Sequence, residues 1–362
     1  MDLAVILVHY HTPLLLAGAV DALRADLAGS DLEGELVVVD NGSKAEDQAL
    51  LEGLPVSLLK PGANLGYAGG INLGAARTEA EHLVLINPDV EVLPGCLKAL
   101  TDELRAGAAA AGPCLYWDRA RTLLLPPSEE RTRGSELLRR MALRGGFWTR
   151  RARARWRSHA RRHWLAPRPF PSPALSGALL ALTRQSLEEV GPFDEGYRLY
   201  FEETDWLARL VQKGLEARYV PRAEAVHLYN QSAGSEPSSA RWFVDSARRF
   251  ERRHYGRWFA LLLGLVSRFR GEPETDQGRL PPGPPQIRLE PHIGAASRPL
   301  WIEISQGPLG FPAATVVIRE PETRTWRLPD GVWDRLTPGE YSLQVVDNAD
   351  RELVRFSFDR ST

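Results

Sequence analysis

Apolar and polar positions follow two different rhythms along this chain, and the change falls near residue 270. In the first part, short apolar runs at residues 3–8, 35–39, 56–60, 83–86 and 108–115 alternate with helical spacing at 14–27, 70–77 and 94–106. Continuous apolar strands joined by helices predict a parallel, doubly wound α/β sheet with both faces covered. Strand character returns at 176–184 and 216–220. Between them lie a helical turn at 186–190 and, at 191–214, a loop leading into a helix that Gly214 ends. Residues 239–269 read as one or two helices rich in Arg and aromatics. After a Pro- and Gly-rich stretch at 271–286, residues 287–358 carry short alternating strands separated by turns, the pattern of a small β-sandwich. The division expected is an α/β domain over 1–238 with a basic insert at 125–170, an amphipathic helical segment at 239–270, a linker at 271–286 and an all-β module at 287–362.

Composition narrows the class. A chain of 362 residues with 43% apolar and 25% charged residues is globular and long enough for one large and one small core. A net charge near −1 gives no overall pull toward nucleic acid. The charge is uneven, however: residues 128–168 hold 13 Arg and no Lys against 3 Glu. Trp148, Trp156 and Trp164 interleave with them. Basic residues beside tryptophans suit an anionic membrane surface; a solvated helix face and RNA binding are the competing readings. Cys96 and Cys114 lie in no CxxC pattern, which argues against zinc and disulfide roles and fits a reducing compartment. The opening MDLAVILVHY has no basic n-region and reads as a first strand. The longest apolar run, 258–266, is far below the ~20 residues that span a bilayer.

Chemistry-bearing residues cluster where strands end. The run HLVLINPDVEVLPG at 82–95 drives a buried strand into Asn87-Pro88-Asp89, so a carboxylate stands at the edge where open α/β sheets bind ligands. Such an Asp is either a turn former or a ligand for a hard cation on a diphosphate. Asp40 ends the second strand in VVVDNGS, where it either accepts from a ring or ribose donor or closes an Asx turn. In NLGYAGGINLG (64–74), Gly66, Gly69 and Gly70 allow close backbone approach near a helix start, which suits an anion. FEETDW places Glu202, Glu203 and Asp205 at a helix N-terminus, more acids than the macrodipole alone needs. His227 follows a strand. His9 and His11 read as loop residues near a nucleotide.

Taken in order, VHYHT (8–12), VVVDNGS (37–43), NLGYAGGINLG (64–74), INPDV (86–90), SGALLALTR (176–184), VGPFDEGYRLYFEETDWLARL (190–210) and HLYNQS (227–232) resemble a family 2 glycosyltransferase of the GT-A fold, in the rhamnosyltransferase-like branch. The resemblance covers about residues 1–265. It implies a Rossmann-like nucleotide-diphospho-sugar transferase domain. Thr12, Asp40, Asn41, Asn64, Gly66 and Asn87 would lie around the nucleotide sugar. Asp89 would hold Mg²⁺ or Mn²⁺ on the diphosphate, completed by His227. Glu202-Glu203 stands where a Glu-Asp pair is usual, which makes Glu203 the expected base and leaves Glu202 and Asp205 as alternatives. The implied activity is inverting, metal-dependent transfer of a sugar, rhamnose among the candidates, from a dTDP- or UDP-sugar. The implied acceptor is a polyprenyl-diphosphate-linked or cell-surface glycan precursor. The enzyme would be cytoplasmic, peripheral on the inner face of the cell membrane, and would bind no nucleic acid. The competing class is a catalytically inactive scaffold of the same fold.

Overall fold

The computed structural model describes residues 1–228, 239–269, 271, 278–290, 296–307, 309–320 and 323–360. The chain forms two compact units. The first comprises residues 1–115, 127–130 and 166–260, and the second residues 116–126, 131–165 and 261–362. The basic stretch expected at 125–170 is thus divided: residues 131–165 belong to the second unit together with the C-terminal strands.

In chain order the elements up to the basic stretch are β1 (Leu3–His9), α1 (Pro13–Ala28), β2 (Gly34–Asp40), α2 (Ala45–Glu52), β3 (Ser57–Leu59), α3 (Gly66–Arg77), β4 (His82–Ile86), β5 (Val90–Val92), α4 (Cys96–Arg105) and β6 (Ala110–Tyr116). Next come α5 (Arg133–Ala142), α6 (Gly146–Trp164), β7 (Phe170–Pro171), β8 (Leu179–Thr183), α7 (Arg184–Val190), α8 (Glu202–Gln212), β9 (Ala217–His227), α9 (Ser239–Tyr255) and α10 (Arg257–Val266). The C-terminal elements are β10 (Gln286–Arg288), β11 (Leu300–Gln306), β12 (Ala314–Ile318), β13 (Thr325–Arg327), a short α11 (Asp330–Trp333), β14 (Gly339–Val346) and β15 (Glu352–Arg360).

The first unit is built on a nine-stranded sheet of order β3-β2-β1-β4-β8-β6-β9-β5, with β7 beside β9. β1 through β4 pair in parallel, as the apolar runs predict. From β8 onward the pairing is antiparallel, so the sheet is mixed rather than wholly parallel. A buried strand reads as the same apolar run in either direction, which is why the pattern did not separate the two. One face is covered by α1 and α4, whose Leu16, Leu23, Leu97 and Leu100 join Val5, Leu7 and Val84 in the core. The other is covered by α3, which approaches β1 at two glycines. A Cβ at position 70 would lie 2.7 Å from Val8 Cγ1, and one at 74 would lie 2.5 Å from Ile6 Cγ2. Gly70 therefore serves helix–sheet packing. α3 also begins four residues before the expected start at 70.

The second unit has an antiparallel sheet, β12-β11-β14-β15, and a two-stranded β10-β13 sheet. α6 lies on the four-stranded sheet by one face. Arg157 makes a bidentate bond to the buried Glu303 and a further bond of 3.0 Å to Gln344. Arg153 pairs with Glu352 and donates to the Leu309 carbonyl. Arg161 stacks its guanidinium over Trp301, and Trp164 stacks on the same ring at 6.0 Å. These arginines, i, i+4 and i+8 on one helix face, are interior residues with carboxylate, carbonyl and aromatic partners. Gly278 and Arg279 of the expected linker pair with Ser357 of β15.

Candidate functional site

The C-terminal edge of the parallel strands carries two adjoining groups of side chains. The first is built on β1 and β2, whose register sets His9 opposite Asp40. His9 is the last residue of β1 and fully buried, so it is a strand residue and not the loop residue expected. Its Nε2 accepts the Thr12 N–H at 3.0 Å, which leaves the proton on Nδ1 to donate to Ser43 Oγ at 2.9 Å. Burial holds its pKa below the ordinary histidine value, consistent with a neutral ring. Asp40 Oδ1 accepts from Ser43 N at 2.9 Å, the Asx-type turn that one reading of VVVDNGS foresaw. The Thr12 hydroxyl is buried with no hydrogen-bond partner among the described residues, although Thr12 stands at the N-cap of α1.

Asn41 connects this edge to the glycine-rich run. Its Nδ2 donates to Asn64 Oδ1 and to the Gly66 carbonyl, and its Oδ1 accepts from Leu65 N at 2.7 Å. Asn64 Oδ1 also accepts from Gly66 N at 2.8 Å. Gly66 adopts φ +73°, the left-handed region, and a Cβ there would press on the Arg198 carbonyl at 3.1 Å. Asn41, Asn64 and Gly66 therefore shape the loop that starts α3. Tyr67 follows, and its hydroxyl donates to the Gly177 carbonyl at 3.3 Å.

The second group is acidic. Asn87 N bonds to the Ala178 carbonyl, and the Asn87 carbonyl accepts from Val90 N, closing the Asn87-Pro88-Asp89 turn. β5 then pairs with β9, placing Val90 opposite His227, while Leu228 N bonds to the Asp89 carbonyl. The result brings His227 Nε2 to 3.5 Å from Asp89 Oδ1. Asp89 is buried and His227 half-buried. A carboxylate and an imidazole converging in this way are a donor set that Mn²⁺ or Mg²⁺ can use. Among the described residues no three His, Cys, Asp or Glu side chains form a metal-holding group. Of the expected HLYNQS motif, residues 229–232 lie outside the described residues.

Glu202 and Glu203 open α8 after a strained entry, since Tyr200 and Phe201 both have positive φ (66° and 72°). Phe201 is held by Phe243 and Phe250 of α9. Glu202 is buried, with Oε2 lacking a hydrogen-bond partner among the described residues. Burial first, and the neighbouring Glu203 second, hold its pKa well above the usual carboxylate range. Glu203 is half-buried and lies against Gly177, where a Cβ would come within 2.8 Å of its Cγ. Tyr67 is close enough to both glutamates and to Asp89 that their charges, after burial, push its phenol well above the ordinary value.

Asp205 stands apart. It is fully buried, with Oδ2 bonded to Arg209 and Oδ1 to His254 of α9 at 2.8 Å and to the Tyr197 hydroxyl. These cationic and polar partners hold its pKa low against the effect of burial. Its carboxylate ties α8 to α9 and is committed to that bond network. The structure thus gathers Thr12, Asp40, Asn41, Asn64 and Gly66 into one group and Asn87, Asp89, His227, Glu202 and Glu203 into another, and places Asp205 outside both. Sequence reasoning missed Tyr67 and Gly177. Tyr67 was legible as the single aromatic in a glycine-dense run, and Gly177 as a glycine entering an apolar strand where no turn requires one.

Residues 4–164 match the family model for glycosyl transferase family 2. The chain is 34% identical over 223 residues to the N-acetylglucosaminyl-diphospho-decaprenol L-rhamnosyltransferase of Mycobacterium tuberculosis, covering 56% of this chain and 69% of that protein. It is 22% identical over 254 residues to the low-salt glycan biosynthesis hexosyltransferase Agl10 of Haloferax volcanii, covering 69% and 74%. Among solved structures, the mannosyltransferase PcManGT from Pyrobaculum calidifontis in complex with GDP-Man and Mn2+ aligns with a TM-score of 0.47 at 16% identity, over 74% of this chain and 69% of that one.

Proposed function

The chain belongs to glycosyl transferase family 2, and on that premise we propose that it transfers rhamnose, with inversion, from a dTDP- or UDP-linked donor to a polyprenyl-diphosphate-linked glycan precursor. The observation that carries this reading is the Asp89–His227 pair at the edge of the sheet, with Tyr67 feeling the charges of both Asp89 and Glu203. Glu203 is the base: the acceptor hydroxyl gives it a proton while the oxygen attacks the anomeric carbon. The bond from that carbon to the diphosphate breaks, and one displacement inverts the centre. Glu202 is the more buried of the two, and its raised pKa favours the protonated form, so the base role falls to Glu203. Thr12 offers its hydroxyl to the nucleotide, and Asn41 holds the loop that faces it. Asp89 and His227 would hold Mg²⁺ or Mn²⁺, which when bound neutralises charge on the leaving diphosphate.

The rhamnose and lipid-linked acceptor rest on the name of the M. tuberculosis relative. Among the described residues no helix is long and apolar enough to cross a membrane. On this reading the enzyme works on its lipid-linked acceptor from the inner, anionic face of the membrane, as a peripheral protein. Incubation with dTDP-rhamnose, UDP-sugars and a polyprenyl-diphosphate-N-acetylglucosamine acceptor tests the reading. Rhamnosylated lipid with inverted linkage is expected, and no nucleoside diphosphate release from any of these donors would refute it.

A further inference from the structure

The arginines of α6 divide into two sets. Arg153, Arg157 and Arg161 face the β-sheet of the second unit. Arg150, Arg151 and Arg155 face outward. With Leu138 of α5 and with Phe147 and Ala154 of α6, they line a groove of about 620 Å³. No ion pair joins any of these three guanidiniums to a carboxylate among the described residues. The sequence explains this, because no acidic residue occurs between Glu136 and Glu188. The groove is carbon-lined and ringed by cationic charge. Phe147 is 60% exposed and meets Trp148 edge-on at 5.3 Å. Beside the α5–α6 turn, Arg144 stacks on the exposed Phe269, and Gly271 N bonds to the Leu143 carbonyl. Phe269 continues an exposed stripe through Leu265, Leu262 and Leu261.

We infer that this α5–α6 groove, with its aromatic and leucine border, is the docking site for an anionic phospholipid bilayer. The inference deepens the membrane part of the reading above and rests on it. Guanidiniums without carboxylates bind lipid phosphates, and exposed Phe, Trp and Leu enter the headgroup–acyl boundary. The aliphatic border distinguishes a bilayer from RNA, which offers stacking faces and phosphates but no hydrocarbon. By contrast, four of the five arginines of α9 have a carboxylate at hand: Arg249 and Arg253 bond Asp194, and Arg241 and Arg248 lie near Asp245.

Co-sedimentation of the full chain with phosphatidylcholine vesicles, with and without phosphatidylglycerol, tests the site. Binding to the anionic vesicles only is expected. The variant R150E/R151E/R155E partitions about a hundredfold more weakly, the change that ~1 kcal/mol per arginine gives for three. Phe147→Ser weakens binding as well. The control R241E/R248E/R252E makes the same charge change on α9 and keeps binding, and both variants keep donor hydrolysis and melting temperature. If the α6 variant binds as wild type, or the α9 control loses as much, the groove is not the site while the membrane reading stands. If wild type ignores anionic vesicles, both fall. Wild-type binding to RNA that the α6 variant loses, with no vesicle binding, assigns the groove to nucleic acid and overturns the inference.

Discussion

Gly177 and Glu203 are in contact so close that no side chain fits between them: a Cβ on residue 177 would lie 2.8 Å from Glu203 Cγ and 3.0 Å from its Cδ. The glycine therefore sets where the proposed base stands. Gly177→Ala is expected to fold normally and to displace the carboxylate, lowering kcat by roughly 10²-fold, the cost of a misplacement near 1 Å. The KM for donor stays near wild type. Steady-state kinetics of transfer check this, and a KM defect with unchanged kcat would assign Gly177 to donor binding instead.

Glu203→Gln removes the proposed proton acceptor but keeps the shape. Transfer is expected to fall by about 10²–10⁴-fold, while the donor affinity measured by calorimetry is retained. Glu202→Gln is expected to leave transfer close to wild type, because burial already favours the protonated native carboxyl. Reversed outcomes would exchange the two roles.

Glu202 also sets a pH dependence of stability. Its folded pKa is raised above the ordinary 4.5, so the unfolded chain releases this proton at lower pH than the folded one. Its contribution is complete below about pH 4.5 and is lost as pH rises toward the folded pKa. Glu202→Gln removes that loss. The melting temperature of the variant relative to wild type is expected to increase as pH is raised from about 5. A difference that is flat across this range would place Glu202 in contact with water.

Asp89 and His227 alone would make a thin cation site. Mn²⁺ is expected to bind the free protein weakly and to bind much more tightly once a nucleoside diphosphate supplies oxygens. Asp89→Asn and His227→Ala each weaken the ternary binding by at least the roughly 10–100-fold that loss of an outer partner of a ligand costs, if both are ligands. Electron paramagnetic resonance of Mn²⁺ with and without nucleotide reports this without any turnover. Tight nucleotide-independent binding would show further protein ligands.

Arg157 and Glu303 are both nearly excluded from solvent and share a bidentate bond. Arg157→Met strands the carboxylate and is expected to destabilise the second unit by about 3–5 kcal/mol. The double replacement R157M/E303L recovers most of that loss, and denaturant unfolding of the three variants measures it.

Strand-end chemistry was legible because position along a buried strand is written locally. Asp89, Asp40 and His227 each follow an apolar run, and each occupies the expected edge. The acids of FEETDW were not separable in sequence. Glu202, Glu203 and Asp205 look alike until tertiary partners are seen, and Asp205 is distinguished by His254, 49 residues further on. The arginines posed the same difficulty. One face of α6 is interior and the other is not, but the face is chosen by Glu303 and Gln344 in strands far down the chain. α3 began earlier than expected because Gly69 and Gly70 look like a loop, whereas helix–sheet approach requires a missing Cβ at Gly70.

Arg157 and its partner Glu303 are 146 positions apart, with residues 166–260 of the other unit made in between. At ~5–20 residues per second the ribosome needs roughly 7–30 s to deliver that carboxylate. For that interval the newborn α6 holds its guanidiniums without their acids, and only the late strands neutralise them. The second unit is thereby completed only after residues 166–260 of the first have been made, and a chain interrupted before the late strands would carry a cationic, aromatic helix hairpin that chaperones and proteases can recognise.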